Sequence, residues 1–318
     1  MATTNIKNYN VTPYYDDFDE TKGFHRILFK PGVSVQAREL TQMQTLLQAQ
    51  IDRFGKYAFK EGDSVINGEV SLDVERDYIK VEPSFTHSST THTTTAALLT
   101  SLVGSTLTGQ TNAVTATVVG VEATEGSNAH TIYLKYTGSG TGNTFKSFVA
   151  GEVLQSNASG TPFVKVGGGS GGASIAATNP VGQNAVFNLK EGVYFLKGNF
   201  VFVPGGSITL DNAGDKYSNT PNNIVGLQVT ESTVSSAEDT SLVDNALGAP
   251  NFSAPGADRY AITTTLVKSA SVTSIAVSNF VILAEINNGG IQWKYDGVST
   301  PEMKWIIENT KHRMGVSL

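Results

Sequence analysis

The chain has 318 residues, 39% of them hydrophobic and only 16% charged, and it has no cysteine. That length suggests about two domains and a sizeable core, while the missing cysteines remove disulfides, thiolate metal sites and cysteine nucleophiles. A net charge of −6 gives no general attraction to phosphate backbones or anionic lipid, so neither nucleic acid nor membrane is expected as a partner.

Residues 1–33 read as an extended arm. Met1 to Asn10 is polar with no apolar signal core, and no apolar run is long enough to span a bilayer, so a soluble, unprocessed protein is expected. Tyr9, Tyr14, Tyr15, Phe18, Phe24 and Phe29 concentrate large apolar area in a segment too short to form its own core, and Arg26 sits among them with Asp16, Asp17 and Asp19 as charged neighbours. Aromatic residues and Arg dominate interface energetics, so the arm is expected to dock on a partner or on its own β-domain.

From Ser34 the apolar period becomes helical. Leu40, Met43, Leu47, Ile51 and Phe54 recur at spacings of three and four, which predicts one long helix from about Gln36 to Phe54, with Ser34 as N-cap and Gly55 just past its end. The stripe leaves open whether it packs on its own sheet or between subunits. From Phe59 to Val81 the period falls to two, and short strands follow. Residues 86–175 are rich in Thr, Ser and Gly and read as an inserted small β-domain, with strands at Val114–Val119, Thr131–Tyr136 and Phe163–Val166. The parent domain, 34–85 plus 176–300, resumes near Asn179, with strands at Ala185–Leu189, Gly192–Val203, Ile208–Leu210, Ile224–Thr230, Tyr260–Val267 and Phe280–Ile286. Residues 301–318 read as a helical tail. The expected fold is therefore mainly β with one long N-terminal helix: an antiparallel β-sandwich or barrel-like domain carrying an inserted small β-domain.

Motifs for chemistry are sparse. Gly167 to Gly172 satisfies GxGxxG, yet no helix long enough to place its N-terminus on a pyrophosphate follows, so a flexible linker is the expected reading. Asp16, Asp17, Asp19 and Glu20 fail the EF-hand spacing, because Lys22 and Leu28 stand where Gly and Glu are required. The five histidines form no HExxH pair. No GxSxG elbow, Walker A loop or kinase signature is present, and a glycosidase carboxylate pair has no local spacing to read. No catalytic, cofactor-binding or metal residue is assigned, and no cofactor is expected.

Three stretches carry a resemblance. Tyr14-Tyr-Asp-Asp-Phe-Asp-Glu20 with Phe24 to Gly32 and Val35 to Gln42 is similar to the N-terminal signature of a virion structural-protein family of tailed phages. Asn179 to Asn184 with Glu191 to Gly198, and Ser241 to Gly248 with Asn251 to Tyr260, extend the likeness. The resemblance implies a baseplate or tail-fibre-associated component without enzymatic role, assembled in the host cytoplasm and located in the virion. Its partners would be other tail or baseplate proteins. The resemblance supplies no stoichiometry; further copies of the chain are expected as partners too, a trimer being favoured. The expected interface residues are Tyr14, Tyr15, Phe18, Phe24, Arg26, Phe29, Leu40, Met43, Leu47, Ile51 and Phe54. The competing reading is a receptor-binding or glycan-degrading tailspike.

Overall fold

The computed structural model describes residues 6–124, 129–168, 178–211, 216–270 and 279–294. The predicted tail 301–318 and most of the glycine run lie outside them. After the arm comes α1 (Ala37–Ala58), then β1 (Ser64–Asn67), β2 (Val70–Val81) and a hairpin of β3 (Ser84–His87) and β4 (Thr90–Thr93). A short α2 (Ala96–Leu102) precedes β5 (Thr106–Gly109), β6 (Thr115–Glu122), β7 (His130–Gly138), β8 (Val153–Ser156) and β9 (Phe163–Lys165). The chain continues through β10 (Val181–Leu189), β11 (Gly192–Leu196), β12 (Asn199–Val203), β13 (Gly206–Thr209) and β14 (Asn223–Val234). It closes with β15 (Arg259–Ser269), β16 (Phe280–Asn287) and β17 (Gly290–Lys294).

The protein is mainly β, and its sheets are antiparallel. Their orders are β1-β11-β12, β13-β10-β2-β7-β6-β5-β8-β9 and β15-β14-β16-β17, beside the β3-β4 hairpin. The described residues hold two α-helices rather than the single one expected. α2 is hidden in the sequence because seven residues are too few to show a period. Thr95 caps it, accepting a hydrogen bond from the Leu98 amide at 3.1 Å, and Leu99 and Leu102 are buried. A further difference is the predicted strand Gly192–Val203, which is two strands, β11 and β12, joined at Lys197 and Gly198. Both turn residues have positive φ, 51° and 74°, the requirement of a two-residue hairpin turn matched to strand twist.

Two apolar cores lie along β2. One gathers Leu99, Leu107, Val118, Ile132, Phe148 and Leu154 around Ile79 and Val81. The other gathers Phe187, Tyr194, Leu196, Val203, Leu227, Val229, Leu283 and Ile286, with Val70, Leu72 and Val74 packed against it; parts of three sheets enclose it. The first half of β2 thus serves the second core, and its last residues serve the first. A bulge makes the change: between Asn184↔Arg76 and Val186↔Asp73, two residues of β2 face one of β10. An extra residue shifts the alternation, so the inward positions are even at 70–74 and odd at 79–81.

The segment after β2 leaves and returns at one place. Val81 bridges Val166, the Glu82 amide donates to the Lys165 carbonyl at 2.9 Å, and the Lys80 amide donates to the Pro180 carbonyl at 2.7 Å. β7 is hydrogen-bonded to β2 from Asp77 to Val81, so the strands of this segment extend the sheet of β2 and β10. A polar and aromatic joint stiffens the junction. Arg76 lies over the Tyr133 ring at 3.8 Å and donates to Asn184 and Thr209, Lys80 lies over Tyr217 at 3.9 Å, and Tyr133 donates to Glu122 at 2.5 Å.

Candidate interaction surface

α1 is positioned by its less apolar side. Its N-cap is Gln36, not Ser34, and Glu39 reaches back to accept from the Gln36 amide at 2.9 Å, satisfying a donor that the first turn leaves free. The buried residues are Leu46, Ala49, Asp52 and Gly55; Asp52 and Gly55 sit on the β11–β12 hairpin, and Leu46 lines a cavity beside the arm. The Gln48 amide donates to the Gly198 carbonyl at 2.7 Å, Lys56 pairs with Asp52 at 3.0 Å, and Gly55 lies so close to Phe195 that a Cβ would stand 2.2 Å from Cε2. Gly55 is therefore a point of close approach inside the helix, not its terminator, and α1 runs on to Ala58.

The consequence is an apolar stripe turned away from the chain's own sheets. Leu40, Met43, Leu47, Ile51 and Phe54 are all exposed, Leu47 by 59% and Phe54 by 67%. Tyr57, which the sequence reading missed because it lies beyond Gly55, continues the stripe and is 75% exposed. Packing of this stripe on the chain's own sheet, one of the two alternatives open at the outset, is not what the structure shows. The outward residues interspersed in the stripe are Gln44 and Gln50, which carry no charge.

The arm divides into two parts. Its first part is docked on the same chain. The rings of Tyr9, Tyr14 and Tyr260 cluster edge to face, with centroids 5.2 and 5.9 Å apart for Tyr9 with Tyr14 and with Tyr260. Tyr14 donates to Asp258 at 2.6 Å and Tyr9 shares a hydrogen bond with Thr233 at 3.0 Å. The bond to Asp258 is the main reason the Tyr14 hydroxyl is pushed up to about 12. Burial, followed by the hydrogen bond to Glu231, raises the Tyr260 hydroxyl.

The arm's carboxylates are engaged within the chain rather than left for a partner. Buried Asp16 accepts from the Thr45 hydroxyl, Asp17 accepts from Gln42 at 3.0 Å and faces Arg38 at 3.6 Å, and Glu20 pairs with Arg53. Asp19 accepts from the Thr21 amide and caps the turn Glu20–Lys22. Arg26 faces none of them in an ion pair; it lines a cavity of about 240 Å³ with Asp17, Phe24, Arg38 and Leu46.

Beyond Glu20 the arm turns outward. Phe24 and Leu28 are 67% and 74% exposed, and Phe29, Val33 and Val35 are exposed too. Of the expected interface residues, Tyr14 and Phe18 are half-buried within the chain, whereas Tyr15, Phe24, Arg26, Phe29 and the five helix residues face outward. Leu28, Val33 and Val35 were missed, since isolated aliphatic residues in an extended segment have no period to betray them.

Among the described residues no three His, Asp or Glu side chains converge as a metal site would need, and no helix is long and apolar enough to cross a membrane. His87 and His92 sit instead in an aromatic cluster with Phe85 and Phe163.

No curated protein and no solved structure matches the chain. A family model described as a domain of unknown function, DUF4815, matches residues 12–106 and 168–313. The matched stretches hold the second part of the arm, the whole of α1 with its outward stripe, both β2 and β10, and the hairpin on which the helix rests, while the unmatched 107–167 holds β6 to β9. On that extent the chain belongs to the DUF4815 family.

Proposed function

We propose that the protein is a structural component of a tailed-phage tail, a baseplate or tail-fibre connector that assembles in the host cytoplasm through its arm and helix and resides in the virion. One observation carries the reading: apolar and aromatic side chains from Phe24 to Tyr57 face outward on an otherwise folded chain. Exposed large apolar side chains in this number, those of α1 forming one stripe, are costly on an isolated molecule and are covered in an assembly. The low charge content fits a surface buried against neighbours, and the resemblance of the arm and helix to tail proteins supplies the setting. Its partners are other tail or baseplate proteins and further copies of the chain. In this role the sheets around the Phe187 and Leu227 core act as a sandwich-like parent domain, with residues 86–175 carried on it as an added β-module, and the mechanism is mechanical rather than catalytic.

The test is to tag the chain in a phage that encodes it, purify particles, and locate the tag by electron microscopy. A tail or baseplate position is expected for the full chain, and a chain lacking residues 1–30 should fold yet fail to enter particles. Absence of the full chain from particles overturns the reading, and normal incorporation of the truncated chain overturns the role of the arm. Turnover of a host glycan, abolished by a single carboxylate substitution, establishes the tailspike alternative instead.

A further inference from the structure

We infer that the occupant of the α1 stripe is the same stripe of a second copy, the two helices running antiparallel about a two-fold axis. The inference rests on the assembly reading above and names the partner of that surface. Leu40, Met43, Leu47, Ile51, Phe54 and Tyr57 repeat at three and four residues over most of a helix of 22 residues, the spacing at which one helix seats side chains between those of another.

Three properties favour a second copy over a different protein. The first is charge: Gln44 and Gln50 are the polar residues within the stripe, and the flanking Arg38 and Arg53 already face Asp17 and Glu20. Such a face offers nothing to select an acidic or basic partner, and pairing with itself brings no like charges together. The second is shape. The stripe is aliphatic at its start and aromatic at its end, so antiparallel pairing sets Leu40 against Tyr57 and Met43 against Phe54, with Leu47 opposite Gln50 and Ile51 at the centre. Large then meets small at both ends, and each contact is repeated by the two-fold axis, as an isologous interface requires.

A parallel arrangement, including the trimer favoured by the sequence reading, would crowd the Phe54 and Tyr57 rings together at one end and leave the other thin. The third property is area. With roughly 200 Å² for a fully exposed large side chain, six side chains exposed by 42 to 75% offer on the order of 600 Å². Counted on both copies this is about 1,200 Å², the lower bound of the range for a specific, stable interface.

The absence of cysteine makes the geometry directly readable in the purified full chain. Leu40→Cys, Tyr57→Cys and the double variant are each oxidised and run without reductant, with light scattering before oxidation. A dimer is expected, cross-linking to a covalent pair in the double variant and in neither single one. Cross-linking of either single variant means parallel helices and overturns the inference, as does a monomer. Leu47→Glu with Phe54→Glu, both outward in the single chain, should leave circular dichroism unchanged and weaken self-association at least a hundredfold; an unchanged dimer overturns the inference. A monomeric chain found in the tail sinks this pairing alone, whereas an antiparallel dimer absent from particles sinks the tail assignment alone.

Discussion

Tyr14 shows how a single hydroxyl can hold an extended arm. Its hydrogen bond to Asp258 joins residues 244 positions apart, and with Tyr9 and Tyr260 it closes an aromatic cluster. Because the folded-state value is raised from 10.0 to about 12, the stability contributed by this bond is complete below pH about 10 and is lost as pH rises toward 12. Tyr14→Phe should remove that component. Thermal unfolding of both chains from pH 8 to 12 should show the wild type's advantage shrinking over the upper two units; an advantage that persists at pH 12 would place the bond's contribution elsewhere. Gly55 argues a second case at this scale. Alanine there gains about 1 kcal/mol of helix propensity, but its Cβ would stand 2.2 Å from Phe195, and such overpacking typically costs about 1–3 kcal/mol. Gly55→Ala should therefore lower stability by up to about 2 kcal/mol in denaturant unfolding, and Phe195→Leu in the same chain should offset part of the loss.

At the scale of the element, α1 was legible in its existence and illegible in its orientation. The stripe Leu40 to Phe54 announces a helix, since an apolar period of 3.6 has few other causes. Whose surface covers the stripe is not written in the period. The chain's own contact with the β11–β12 hairpin is made by Gln48, Asp52 and Gly55, small or polar residues that allow it to come close, and no hydropathy pattern marks such a face. Gly55 misled for a related reason: glycine after an apolar run signals a helix end, but close packing against an aromatic ring demands glycine as well. Most strands could be read from their alternation. β3, β4, β5, β8 and β17 could not, because strands of four or five residues, several of them rich in Thr and Ser, give too little apolar contrast to show a period. Of the candidates named for an interface, the five helix residues with Tyr15, Phe24, Arg26 and Phe29 face outward, whereas Tyr14 and Phe18 are half-buried within the chain; Tyr9 and Tyr260, which pin the arm, meet only through tertiary folding.

For the whole molecule, the arrangement around β2 bears on residues 86–175. Their strands share a sheet with β2, and Ile79 and Val81 are fully buried in the core they build. Joining Ser84 to Asn179 through a short Gly-Ser linker should leave the Phe187 and Leu227 core folded while exposing those two side chains. The excised chain is expected to be less soluble and less stable than one that also carries Ile79→Thr and Val81→Thr. If the substituted chain were itself unfolded by circular dichroism, the parent core would depend on the removed segment for more than cover.

The bulged strand also imposes an order of events. β2 and β10 are neighbours in the sheet, but about 100 residues separate them in the chain, and closing so long a loop before other contacts exist is entropically unfavourable and slow. β7 is much nearer in sequence and pairs with the same end of β2, and folding of the segment between them brings Val166 to Val81 and Pro180 to Lys80. During synthesis that segment emerges before β10, so its folding is expected to act as a clamp that shortens the effective loop and brings β10 to its place beside β2. The core that supports the hairpin under α1 takes Leu283 and Ile286 from β16, so the apolar stripe can gain its full platform only once β16 has been made.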